Sequence, residues 1–79
     1  MRRYVLMHQH RTHECKAAFA AWLGFDSPLR RRPALASCVE GGRVWWTVEA
    51  PDEASAYAQL PPFVAERTEL LELRAVEIP

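Results

Sequence analysis

The apolar residues of this chain fall into short blocks separated by turn-forming residues, and the spacing inside each block predicts its element. In RYVLMHQH, Arg3 to His10, Tyr4, Leu6 and His8 point to one side of an extended chain and Val5 and Met7 to the other. Both sides are apolar at the start, which predicts a strand in a sheet covered on both faces. Thr12 is placed to cap a helix, with Glu14 in its first turn. In ECKAAFAAWLG, Cys15, Phe19, Trp22 and Leu23 recur at helical spacing, and Gly24 ends the run.

After a loop marked by Asp26, Ser27, Pro28 and Pro33, the stretch ALASCVEGGRVWWTVEA reads as a hairpin turning at Gly41-Gly42. A two-residue loop there pairs Glu40 with Arg43, Val39 with Val44, Cys38 with Trp45 and Ser37 with Trp46. That register puts Leu35, Val39, Val44, Trp46 and Val48 on a helix-packing face. Ala36, Cys38, Trp45, Thr47 and Glu49 take the opposite one, where a subunit or ligand would meet them. Pro51, Asp52 and Glu53 open a second helix with Ala54, Tyr57 and Ala58 inward, and Pro61-Pro62 stops it. Thr68 to Ile78 alternates as a last strand, with Leu71, Leu73 and Ala75 on one side and Leu70, Val76 and Ile78 on the other.

Strand, helix, strand, strand, helix, strand is the split βαβ, or ferredoxin-like, order. The expected fold is α+β: one domain over residues 1–79, a four-stranded antiparallel sheet, two helices on one face, and the other face buried in a dimer. Composition strengthens the dimer. The chain has 79 residues, 49 % of them apolar, with three tryptophans, two tyrosines and three phenylalanines. Ordering costs about 1.5 kcal/mol per residue, so a core this small is marginal alone. Cys15 and Cys38 are the only cysteines and are expected on different sides of the sheet, so a partner subunit is the better staple.

Ten basic and ten acidic residues cancel, which argues against a dedicated nucleic-acid binder. The run Arg30-Arg31-Arg32 reads as a solvated loop. No segment approaches the ~20 apolar residues of a membrane span, and Met1-Arg2-Arg3 does not begin a signal peptide. Two unpaired cysteines without an export signal fit the cytoplasm.

Over nearly its whole length the sequence resembles the dimeric α+β-barrel superfamily. The carriers are YVLMHQH as a first strand ending in histidine, RVWWTVEAPDEASAYAQL as third strand and second helix, and LPPFVAERTELLELRAVEIP as the closing strand. The resemblance is to small proteins that include muconolactone-isomerase-like, YciI-like and nickel-binding domains. It implies isomerase, monooxygenase or metal-binding roles without choosing among them.

The candidate chemistry gathers behind the first strand. His8 and His10, two apart, project from one face with Cβ atoms about 6.5 to 7 Å apart, within reach of one metal at about 2.1 Å per nitrogen. His13 and Glu14 lie nearby, and such a site would suit nickel, copper or zinc; the nickel-binding relatives point the same way, most directly for His8. The competing reading is histidines at a strand end, hydrogen-bonded to backbone or water. Cys15 falls on the helical stripe as a small buried hydrophobe, and Cys38 as a nucleophile would need a neighbouring base. Trp22 and Trp46 fit the core. Trp45 suits an interface or a bound ring, Tyr57 could donate into a cavity between helix and sheet, and Glu49 could serve as a base beside a histidine. Three functions follow: a dimeric ligand- or metal-binding protein, an isomerase or cofactor-free monooxygenase with a histidine acid/base, or a self-association domain.

Overall fold

The computed structural model describes residues 1–38 and 41–79. β1 (Arg2–His10), β2 (Leu35–Ser37), β3 (Gly42–Ala50) and β4 (Thr68–Leu73) form one antiparallel sheet in the order β2-β3-β1-β4. Three short helices, α1 (Cys15–Ala20), α2 (Glu53–Tyr57) and α3 (Pro62–Ala65), complete the chain with 3-10 turns at Thr12–Glu14 and Pro28–Arg31. This α+β arrangement is compatible with the ferredoxin-like plan. Among the described residues no helix is long and apolar enough to cross a membrane.

The alternation of β1 is realised as expected: Tyr4, Leu6, His8 and His10 are buried under the helices, while Val5, Met7 and Gln9 face the other way. Tyr4, Leu6, Trp46 and Val48 from the sheet pack with Ala56 of α2, Val64 of α3, Leu29 and Leu60 in one core. Asp52 caps α2 by accepting the Ser55 amide at 2.8 Å. Pro61 and Pro62 stop that helix, and Pro62 then starts α3 at the first helical position, where a missing N–H costs nothing.

Several sequence expectations are corrected. Thr12 does not cap; it lies inside the first turn, which Arg11 precedes, and the Glu14 carboxylate accepts the Arg11 amide at 2.9 Å. The first helix is shorter than its alanine-rich run, and its inward face is Ala18, with Ala21 and Trp22 beyond it; Phe19 and Leu23 are exposed. In α2 the inward residue is Ala56, not Ala54 or Ala58. The last strand ends at Leu73, opposite Arg3 near the start of β1, and Val76 and Ile78 beyond it are exposed.

The β2 register also differs. Ser37 pairs with Arg43, not Trp46, and Leu35 with Trp45. The offset is odd, so it turns every β2 side chain over. Ala36 joins Val44 on the helix side, and Leu35 joins Trp45 on the open side. The expected pairings of Val39 and Glu40 lie outside the described residues. Gly42 is not a loop residue but the first residue of β3, opposite His10.

Candidate functional site

The two buried imidazoles of β1 form the site. His8 and His10 share the helix-facing side, as their spacing requires, and are 3 % and 6 % exposed. Burying an imidazole without partners is costly, and here the partners come from neighbouring strands and α3. Nδ1 of His8 lies 3.3 Å from the Val64 carbonyl oxygen and 3.2 Å from Thr68 Oγ1. The Thr68 hydroxyl donates its own proton to that carbonyl at 2.6 Å. Both groups facing His8 Nδ1 are therefore acceptors, so Nδ1 carries the proton. Nε2 of His8, left with a lone pair, lies 2.9 Å from Nδ1 of His10, which must donate to it. Burial lowers the pKa of His8 most, and the neighbouring His10 and Arg67 push the same way against the Val64 carbonyl, so His8 stays neutral in this arrangement.

The outcome is a directed chain. Protons point from His10 to His8 and from His8 to the Val64–Thr68 pair, leaving Nε2 of His10 with a lone pair and no hydrogen-bond partner among the described residues. That nitrogen can accept a proton without disturbing any bond in the chain. His8 cannot, because a proton on its Nε2 would meet the one His10 already presents.

Two glycines make room for the His10 ring. A Cβ on Gly42 would collide with Cε1 and Nε2 of His10, because the ring lies across its β3 neighbour. Gly41 adopts φ 105°, and a Cβ there would come within 2.6 Å of the His10 carbonyl oxygen. The glycine pair thus serves the histidine as much as the turn.

The imidazoles form the polar end of a pocket of about 230 Å³ between α1 and the sheet. Its walls are otherwise apolar: Ala18, Phe19 and Trp22 from the α1 side, Ala34 just before β2, Ala36, Val44 and Trp46 from β2 and β3, and Val64 from α3. The Trp22 and Trp46 rings lie 5.8 Å apart at 52°, and His8 lies 6.3 Å from Trp46, making a continuous aromatic surface. On the other side of the histidines a polar cleft of about 610 Å³ opens at the end of the sheet. There Arg67 bonds the Glu14 carboxylate at 2.8 Å, donates to the Phe63 carbonyl at 3.0 Å and stacks 3.7 Å above the Phe63 ring. This contact ties the turn after β1 to α3. Its carboxylate is held below the usual range, first by the Arg11 amide and then by Arg67.

The other residues singled out in the sequence do not converge here. His13 is exposed, and among the described residues no group of three or more His, Cys, Asp or Glu side chains is placed to hold a metal ion. Glu49 pairs with Arg3 at 3.5 Å, at the opposite end of the sheet from His8. Cys38 is exposed and Cys15 half-buried, both as free thiols. Tyr57 donates to the Thr68 carbonyl at 3.2 Å, which ties α2 to β4 beside the histidine chain. Trp45 lines the polar cleft from the open face. Sequence reasoning missed Thr68, the Val64 carbonyl and the steric role of Gly42. The first two come from far along the chain, whereas the glycine pair was a visible signal assigned to the turn. No protein-family model matches the chain, and no curated protein or solved structure matches it significantly.

Proposed function

We propose that the chain binds a small, largely apolar molecule in the pocket between α1 and the sheet, with the His10–His8 pair as its polar contact. The observation that carries this is the pair itself: two mutually hydrogen-bonded imidazoles at one end of an otherwise apolar, aromatic-walled pocket. An apolar hollow with a few convergent polar groups is the usual form of a small-molecule site. The test is a panel of small neutral aromatic compounds added to the native protein and followed in ¹H–¹⁵N correlation spectra. Binding is expected to shift the indole N–H signals of Trp22 and Trp46 and the amides of Ala18 and Val44. Shifts confined to the open face, or none at all, would contradict it.

A second reading, proton transfer to or from the bound molecule, is favoured by the bare Nε2 of His10. A neutral imidazole that keeps its hydrogen bonds when it takes up a proton suits acid/base work. Enolisable ligands incubated in D₂O with the protein would then incorporate deuterium at carbon, and His10→Gln would stop this even at ligand concentrations that saturate the variant. Nickel, copper or zinc would have to use His10 Nε2 or break the pair. Calorimetric titration of these ions, with His8→Ala/His10→Ala as control, is expected to show no saturable micromolar binding.

The open face supports the homodimer. Leu35, Leu71 and Leu73 are exposed there beside half-buried Val5, Met7 and Trp45, a cluster of large apolar side chains that a second copy would cover. The two free thiols suit a reducing cytoplasm.

A further inference from the structure

A second hollow, about 260 Å³, continues from the histidine pocket and shares four of its residues: Phe19, Trp22, Ala34 and Trp46. What it adds is Leu29, Arg30 and Arg32. The aromatic pocket thus has two imidazoles at one end and two arginine side chains at the other.

The turn that carries these arginines is fixed in place. Leu29 is buried in the core, and the buried Ser27 hydroxyl accepts the Leu29 amide at 3.2 Å while donating to the Gln59 carbonyl at 2.7 Å. Arg30 donates to the Phe25 carbonyl and Arg32 to the Thr47 carbonyl, each at 3.2 Å. Those contacts use one nitrogen of each fork and hold it in position. Among the described residues neither guanidinium has a carboxylate partner, in contrast to Arg2, Arg3 and Arg67, which all do. Each guanidinium has five donors, so most remain free for an anion. Arg31 adds a third positive charge beside them.

Building on the pocket reading above, we infer that the ligand is an aromatic or similarly flat carboxylic acid. Its ring lies against the surface formed by Trp22 and Trp46, and its carboxylate meets Arg30 and Arg32. A carboxylate on an arginine fork makes a charge-assisted, geometrically specific contact that a neutral group of the same size cannot reproduce. Uncharged rings fill the same space and lose only that contact.

The test is calorimetric titration of the native protein with 2-naphthoate and with 2-naphthalenemethanol, which differ in the charged group. The acid is expected to bind about tenfold tighter or more. Arg30→Gln/Arg32→Gln should erase this preference and leave the alcohol's affinity unchanged. Added NaCl should weaken the acid and not the alcohol, a comparison that needs no variant to fold. Equal affinities, or a preference that survives in the double variant, would overturn the inference while leaving the pocket reading standing. Binding of neither compound would overturn both.

Discussion

The two faces of the sheet are built from alternate residues of the same strands, yet they handle polarity in opposite ways. On the helix side Tyr4, Leu6 and Val48 pack without solvent, and His8, His10 and Thr68 are buried with them as one hydrogen-bonded unit. On the open side apolar Leu35 and Leu71 lie exposed, and the largely exposed Arg3–Glu49 pair crosses the strands at 3.5 Å. The covered face therefore takes its specificity from a few satisfied polar groups. The open face carries charge that contributes little to stability and leaves apolar area exposed.

The largest expected contrast is between Leu6 and Leu71, side chains of one type on opposite faces. Leu6→Ala should cost about 2–5 kcal/mol in urea unfolding, whereas Leu71→Ala in dilute protein should stay within about 0.5 kcal/mol. Similar losses at low concentration would erase the distinction between the faces. Next is Gly42→Ala, whose new methyl must displace the His10 ring; about 1–3 kcal/mol of destabilisation is expected, with the His10 ring resonances moving more than those of Tyr4. Sedimentation equilibrium on Leu71→Arg addresses the open face directly. Native protein is expected to dimerise and the variant to remain monomeric, with the Trp22 and Trp46 signals unchanged.

A pH series separates the histidines from the rest. His8 is held neutral by burial, so its pKa in the folded chain lies below the unfolded value of 6.5. Its contribution is fully present above that unfolded value. As pH falls below it, the unfolded chain takes up a proton that the native His8 resists, and stability declines until the native group also titrates. The melting temperature should therefore drop on acidification from neutral pH, and His8→Gln should flatten that drop. The smallest effect expected is at Tyr4, whose buried hydroxyl has no hydrogen-bond partner among the described residues. Tyr4→Phe removes an unsatisfied group while keeping the ring, so unfolding should show no loss of stability and a slight gain.

How much of this was legible in the sequence follows from the range of each interaction. The faces of β1 could be read because alternation is a local property, and the same rule put His8 and His10 side by side. The β2 register could not. The Gly41-Gly42 dipeptide satisfies a two-residue turn locally, while the clash between a Gly42 side chain and the His10 ring appears only once β3 lies beside β1. The α1 stripe failed for a related reason. Phe19 and Leu23 share helical spacing with Trp22, but the helix ends at Ala20, and the small Ala18 rather than a large side chain meets the core. The proton chain needed Val64 and Thr68, more than fifty residues from His8 and brought to it only by the β1–β4 pairing.

The direction of the His10–His8 proton chain can be read from imidazole nitrogen spectra. Long-range ¹H–¹⁵N correlation spectra at neutral pH should show both His8 and His10 protonated at Nδ1 and bare at Nε2, with His13 averaging as a solvent-exposed ring. If instead His8 proves protonated at Nε2, or His10 bare at Nδ1, the two imidazoles are separate side chains and the account of the site fails.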